Sequence, residues 1–204
     1  TNLRDWFRLC GFFHFSLHDA TYRFYFEYKD NLDAFKQLNS SNLLFLVSSF
    51  FVCYLIIYFS SGLFSDKIFD GQLNQSLISL SLISGFLDYI FLYLMTILTA
   101  QLKAKEHSYV SILSIVLNTS FSIFFMLYFS LTYMGRVYGI IISQIVIVLL
   151  LFKICKHTFS TNFSIKMLKK SFKYAIPFYP IMLLGLSQNY LDKTVLSSSK
   201  GNAS

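Results

Sequence analysis

The chain has 204 residues, of which 55% are hydrophobic, 19% aromatic and 13% charged, and its formal net charge is +7. A soluble domain with so few charged residues would have too little polar surface to cover itself, which excludes an ordinary soluble globular protein. The positive charge does not indicate nucleic acid as a partner, because it is concentrated between long apolar runs.

Apolar runs that could cross a membrane dominate the sequence. An α-helix needs about 20 apolar residues to cross a hydrocarbon core of roughly 30 Å. Within lipid the backbone must satisfy its own hydrogen bonds, so such runs are helical. We therefore predict an all-α integral membrane protein, a polytopic helix bundle with about six transmembrane helices. In chain order the predicted spans are Asn2–Tyr22, Asn42–Phe64, Leu77–Ala100, Tyr109–Leu131, Val137–Lys153 and Phe172–Leu191.

Loops rich and poor in basic residues alternate along the chain. Three connections are rich, namely Arg23–Lys36, Lys103–His107 and Lys153–Lys173, and the last of them holds six lysines. The two connections between these, around Lys67 and Arg136, have one basic residue each. Cytoplasmic loops carry the excess of Lys and Arg in membrane proteins. This pattern predicts that the three rich loops lie in the cytoplasm.

The first predicted span carries several ionisable residues in an apolar background: Arg4, Asp5, Arg8, His14, His18 and Asp19. Such groups cost about 2.5–3.5 kcal/mol each at the centre of a bilayer, so they normally face a bundle interior or an aqueous cavity. We interpret the stripe as lining a transport lumen, although Arg4 and Asp5 could instead mark the membrane edge. A metal site at His14 and His18 is disfavoured, because no third ligand lies close in the sequence.

Asp88 lies near the middle of the third predicted span, where a carboxylate is most costly. Two interpretations stay open. Asp88 could carry a proton or a cation during transport, or it could be the structural partner of an arginine on a neighbouring helix.

Two other patterns predict packing and membrane contact. Gly135, Gly139 and Ser143 recur every four residues, which would let another helix approach closely. In Thr158–Lys173 the apolar residues fall on one helical face among lysines, which is typical of an amphipathic helix on the anionic leaflet; a solvated basic loop is the alternative. The apolar residues of that face are Ile165, Leu168 and Phe172.

Two terminal segments resemble Wzx-type polysaccharide flippases. The stretch Ser16–Lys29 is similar to the end of the second helix of that family, where small residues lead into an arginine–aromatic cluster. Pro177, Pro180, Asn189, Asp192 and Lys193 resemble the motif that opens the family's seventh helix. Tyr109–Asn118 is similar to the fifth helix, though less specifically.

The resemblance implies an internal part of a larger two-bundle exporter of the multidrug/oligosaccharidyl-lipid/polysaccharide superfamily. Residues 1–156 would form helices two to six of the first bundle, 157–171 a basic cytoplasmic linker, and 172–204 the first helix of the second bundle with the loop after it. Paired bundles of this kind work by alternating access.

The implied activity is the flipping of undecaprenyl-diphosphate-linked oligosaccharide repeat units across the bacterial cytoplasmic (inner) membrane, for surface polysaccharides such as O-antigen, lipopolysaccharide or capsule. The implied partners are that lipid-linked glycan, membrane lipid and other polysaccharide assembly proteins. Under this resemblance Arg4, Arg8, His18 and Arg23 are the candidates for the substrate lumen. No cofactor is expected beyond a coupling proton or cation.

The sequence departs from the family motif at Lys193, which replaces the usual arginine and lacks its planar fork for phosphate. An alternative is another exporter of the same superfamily, a drug/cation antiporter or a lipid-precursor flippase, with Asp19 or Asp88 as the ion-coupling residue. A polytopic polysaccharide polymerase is disfavoured by the short loops around Lys67 and Arg136. The chain also lacks a phosphate-binding glycine loop and a nucleophile elbow, so we do not predict an enzyme.

Overall fold

The computed structural model describes residues 16–68, 75–128 and 133–178, together with residues 180 and 184. These residues are almost entirely helical, and no strand occurs among them. The α-helices are α1 (Leu17–Glu27), α2 (Leu32–Ile68), α3 (Gln75–Ala100), α4 (Ala104–Tyr128), α5 (Tyr133–Cys155) and α6 (Ile165–Ala175). Two short 3₁₀ helices, Lys156–Thr158 and Ile176–Phe178, follow α5 and α6.

Four of these helices are long and apolar enough to cross a membrane. The spanning stretches are Leu32–Ile56, Ser79–Ala100, Ala104–Tyr128 and Met134–Thr158. The prediction of a helical membrane protein is thereby confirmed for the four central spans. Most of the first and last predicted spans lies outside the described residues.

Helix α2 begins earlier than the sequence analysis predicted, at Leu32 instead of Asn42. Its 37 residues correspond to roughly 55 Å at 1.5 Å per residue, which is longer than a hydrocarbon core of about 30 Å. The extra turns are started by Asn31, whose Oδ1 accepts a hydrogen bond from the Ala34 amide at 3.1 Å. Hydropathy alone marks the membrane boundary and cannot show that a capped helix continues past it.

The helices alternate in direction. Helix α1 contacts α3 through His18–Tyr89 and Thr21–Tyr93, and α2 contacts α3 through Asn39–Tyr93 and Phe50–Phe86. Helix α3 contacts α5 through Asp88–Gln144, and Lys103 and His157, which follow these two helices, contact each other. Helices α1, α3 and α5 therefore run one way, and α2 runs the other way. This is the relative order that the predicted topology requires.

Helix α4 packs antiparallel against the glycine stripe of α5. A Cβ atom placed on Gly139 would lie 2.6 Å from the Cα of Ser122, and one placed on Gly135 would lie 3.0 Å from the amide nitrogen of Met126. Because these neighbours are backbone atoms, a side chain at either glycine would force the helices apart. The prediction of a close helix approach at this stripe is confirmed.

Helix α3 is the centre of the bundle. Its side chains Tyr93, Leu94, Ile97 and Leu98 are fully buried, and they pack with residues of α1, α2 and α5. By contrast, 6% of the spanning window of α4 is buried. The outer surface of α4 is therefore free for lipid or for another part of the protein.

The basic segment after α5 forms a helix, α6, and of its predicted apolar face Leu168 and Phe172 are half-buried, while Ile165 is exposed. Ser171 and Ala175 are fully buried, whereas Ile165 is 60% exposed. Helix α6 packs against α1 and α2, with the ring of Phe172 edge-on to Phe45 at 4.7 Å. It ends at Ala175, just before Pro177, which cannot continue the hydrogen-bond ladder.

Candidate functional site

Helix α1 has a packed face and an open face. The packed face consists of Leu17, Ala20, Thr21 and Phe24, which are buried against α2, α3 and α6. The open face consists of Asp19, Tyr22, Arg23, Phe26 and Glu27, which are exposed. Because Asp19 and Arg23 are four residues apart, they lie on the same side of the helix. Three charged side chains, Asp19, Arg23 and Glu27, therefore lie on this face, and Glu27 pairs with Lys170 of α6.

His18 lies at the edge of this open face and deep in the bundle. Its Nε2 atom is 3.5 Å from Oδ1 of Asp19, and its ring meets that of Tyr89 edge-on, with 5.9 Å between centroids. Tyr89 is in the middle of the spanning stretch Ser79–Ala100. His18 is thus level with the middle of this candidate span, and the centre of a bilayer is where ionisable groups are most costly. Its Nδ1 atom is buried and has no hydrogen-bond partner among the described residues.

Asp88 faces α5 across a small polar cavity. Its carboxylate accepts a hydrogen bond from the side-chain amide of Gln144. The cavity has a volume of about 110 Å³, and Ser114, Asn118 and Ser143 also line it. Within residues 16–68, 75–128 and 133–178, no Lys, Arg or His lies within ion-pair distance of Asp88. The partner of the carboxylate in the described structure is therefore an amide, not an arginine.

A second polar cluster, which we call the Tyr93 network, was not found by sequence analysis. Tyr93, Thr21, Asn39 and Asn42 are all fully buried. Thr21 donates to the Tyr93 hydroxyl at 3.2 Å, Tyr93 donates to the Asn39 carbonyl oxygen at 3.3 Å, and Asn42 donates to Thr21 at 3.1 Å. The signal in the sequence was the polar run Asn39–Asn42 at the start of an apolar helix. The network joins α1, α2 and α3 and has no exposed member, so its role is structural.

The three basic loops meet at one end of the bundle. Nζ of Lys103, between α3 and α4, lies 3.2 Å from Nε2 of His157, after α5. Lys170 of α6 donates to the Glu27 carboxylate and, at 2.8 Å, to the Tyr28 hydroxyl, both at the end of α1. The placement of the three loops on one side agrees with their predicted location. That this side is the cytoplasm remains a prediction.

The remaining candidate residues are either outside the described ranges or at the end of α6. Arg4, Arg8, Asn189, Asp192 and Lys193 lie outside the described residues. Pro177 and Pro180 are both exposed. No group of three His, Cys, Asp or Glu side chains that could hold a metal ion occurs in the described part of the chain.

The comparisons with known proteins add no relative. No family model matches the chain, and neither a characterised protein nor a solved structure matches it. The fold by itself defines the class: a helical membrane protein with four candidate membrane-spanning helices.

Proposed function

We propose that this chain is part of a transporter that flips polyprenyl-diphosphate-linked oligosaccharides across the bacterial cytoplasmic membrane. The observation that carries the proposal is the open face of α1, where Asp19 and Arg23 are exposed beside the half-buried His18. In a membrane protein such a face must border water or further protein, because lipid does not solvate charge. A lumen lined by this face satisfies that requirement.

The substrate fits the chemistry of the face. A diphosphate is strongly anionic, and a guanidinium group forms the charge-assisted, bidentate hydrogen bonds that phosphate oxygens accept. Arg23 shares the open face with Tyr22 and Phe26, whose rings meet edge-on with 5.5 Å between centroids, and exposed aromatic rings offer surfaces for sugar rings. In this proposal the prenyl tail stays in the lipid while the polar head crosses along α1.

The proposed architecture follows the sequence expectation. Residues 1–156 would belong to one bundle, 157–171 would connect it to a second bundle, and 172–204 would open that second bundle. The connection would be held in place by Asn39, whose side chain donates to the Thr158 carbonyl oxygen at 3.3 Å.

The test is transport by the full protein in proteoliposomes that contain a fluorescent polyprenyl-diphosphate oligosaccharide. Arg23→Ala should lower the initial flipping rate at least about tenfold, because a hydrogen bond to a charged group contributes about 1.5–3 kcal/mol. Arg23→Lys should retain a larger share of the rate than Arg23→Ala. The matched control is Arg136→Ala, which removes an exposed arginine from the first turn of α5, at the predicted periplasmic end of that helix, and should leave the rate unchanged.

Two results would contradict the proposal. One is a normal flipping rate in an Arg23→Ala variant that inserts and purifies as the unaltered protein does. The other is an equal loss of rate in Arg23→Ala and Arg136→Ala, which would indicate that arginines act here as interfacial anchors.

A cation-coupled exporter of another solute is the second candidate. The observation that favours it is the amide partner of Asp88, since a carboxylate without an ion-pair partner in the described residues is free to exchange protons or bind a cation. The same proteoliposomes separate the two candidates. An exporter of this second kind would move a cationic drug and leave the labelled lipid-linked sugar in place.

A further inference from the structure

A groove lies between α2 and the segment that follows α5, at the end of the bundle where the basic loops meet. Its volume is roughly 720 Å³, within the range of about 300–1,000 Å³ that is typical of ligand pockets. The apolar side chains of its walls are Leu43, Leu44, Val47, Phe152, Phe159 and Phe163. No residue of α1 lines it, so it is separate from the open face of that helix.

Hydrogen bonds fix the shape of this groove. The segment after α5 is tied to the first turns of α2 by three bonds: Asn39 side chain to Thr158 carbonyl at 3.3 Å, Ser160 amide to Ser40 hydroxyl at 2.7 Å, and Ser164 amide to Ser41 hydroxyl at 2.9 Å. Ser40 and Ser160 are themselves part of the lining. The groove is therefore preformed, and an occupant would not have to order it.

The walls of the groove are uncovered apolar surface. Leu44 is 54% exposed, Val47 is 45% exposed and Phe163 is 46% exposed. Burial of such surface contributes roughly 25 cal/mol per Å², which favours an occupant with a long apolar chain. A soluble anion such as inorganic phosphate would leave this surface exposed.

The rim of the groove is positively charged. Lys153 and Lys156 both line it and both are exposed, and its described lining contains no Asp or Glu. A neutral or zwitterionic head group would bring no net negative charge to the two ammonium groups. Basic pockets between membrane helices at the cytoplasmic leaflet are recognised sites for anionic lipid head groups.

We propose that this groove binds one anionic phospholipid, with an acyl chain along the Leu44–Val47 wall and the phosphate on Lys153 and Lys156. The apolar walls select a lipid chain, and the two lysines select an anionic head group. Bound there, the lipid would hold α2 and the end of α5 together at the membrane surface. The inference does not depend on what the protein transports.

The test uses the full chain in detergent, with the native tryptophan removed by Trp6→Phe and Phe159→Trp introduced as a fluorescent reporter in the groove wall. Phospholipids with brominated acyl chains are the quenchers. Brominated phosphatidylglycerol should quench the reporter at about thirtyfold lower concentration than brominated phosphatidylcholine, because each of the two lysines contributes about 1 kcal/mol to attraction for anionic lipid. Lys153→Gln with Lys156→Gln should abolish this preference.

The matched control replaces two exposed lysines of α6 that do not line the groove, Lys166→Gln with Lys169→Gln, and should keep the preference. Native mass spectrometry of the unaltered chain after delipidation and addition of equimolar lipids gives an independent readout, in which phosphatidylglycerol should remain bound.

Equal quenching by both lipids would overturn the proposal, as would an unchanged preference in the Lys153/Lys156 variant. So would displacement by inorganic phosphate alone, which would show an anion site without a lipid chain. Absence of quenching by either lipid would also overturn it, because no acyl chain would then enter the groove.

Discussion

The Tyr93 network and the Asp88–Gln144 pair are both polar groups within the same apolar bundle, yet they are built in opposite ways. The network is fully buried and joins three helices through neutral side chains. The pair consists of an exposed carboxylate and a half-buried amide beside a cavity. Tyr93 of the network and Asp88 of the pair both belong to α3, about one and a half turns apart and on different faces.

The difference shows how the two regions use polarity. Buried neutral groups that hydrogen-bond to one another hold helices in a fixed register, and loss of one member leaves the others unsatisfied. A carboxylate beside a cavity of about 110 Å³, which has room for several water molecules, keeps an accessible side through which it can exchange a proton or a ligand. We therefore expect substitutions in the network to act on stability, and substitutions at Asp88 to act on transport.

The largest expected effect comes from Gly139, in the contact that brings α4 to the cavity of Asp88. Gly139→Ala places a Cβ atom against the backbone of Ser122, and overpacking of this kind costs about 1–3 kcal/mol. Hydrogen exchange of the full chain should then increase in α4, while α1 and the Tyr93 network stay protected.

Gly135→Ala should have a smaller effect than Gly139→Ala, because its nearest contact is 3.0 Å instead of 2.6 Å. Ile145→Ala, at an exposed position of α5, serves as the control and should leave exchange in α4 unchanged. Equal exchange in all three variants would show that the glycine stripe does not hold α4.

Tyr93→Phe tests the Tyr93 network directly. It removes the hydroxyl that accepts from Thr21 and donates to the Asn39 carbonyl oxygen, so we expect a loss of about 1–3 kcal/mol in the free energy of unfolding. Denaturation in mixed micelles measures this loss. Tyr109→Phe, whose side chain is 62% exposed on α4, is the matched control and should change stability little. Identical values for the two variants would refute a structural role for the network.

Asp88→Asn tests the Asp88–Gln144 pair. The substitution keeps the shape of the side chain and an oxygen that can accept from Gln144, so stability should change by less than about 1 kcal/mol. If Asp88 couples transport to protons, flipping in proteoliposomes should lose its dependence on a pH gradient. Asp33→Asn, an exposed carboxylate at the start of α2, should keep that dependence. A loss of thermal stability with an intact gradient response would instead make Asp88 a structural residue.

The sequence predicted the four central spans and their relative directions, because hydropathy and the distribution of basic residues act over whole segments. It also predicted the contact at Gly139, since small residues every four positions lie on one helix face. It did not predict the Tyr93 network. The partners Thr21 and Tyr93 are 72 residues apart, and no local pattern joins them.

The packing of α6 was predicted only in part. Periodicity placed Ile165, Leu168 and Phe172 on one face against the anionic leaflet, whereas Leu168 and Phe172 are half-buried and Phe172 packs on Phe45 of α2. Small residues, Ser171 and Ala175, then occupy the tightest contact. Gln144 was overlooked as the partner of Asp88, because a single amide in an apolar helix carries no spacing signal.

The smallest expected effect concerns Lys170, which lies where α6 meets the end of α1. Hydrogen bonds to Glu27 and Tyr28 raise the pKa of Lys170 above its ordinary value. Because the pKa is higher in the folded state, the stabilisation is complete below the ordinary lysine pKa of about 10.4 and is lost as the pH rises through the raised value. The pair is partly exposed, so Lys170→Met should cost less than about 1 kcal/mol.

That difference in stability between Lys170→Met and the unaltered chain should stay constant from pH 7 to about pH 10 and shrink above it. Lys169→Met, on the exposed side of α6, should show no such difference, and a Lys170→Met penalty that grows with rising pH would have the wrong sign for this ion pair.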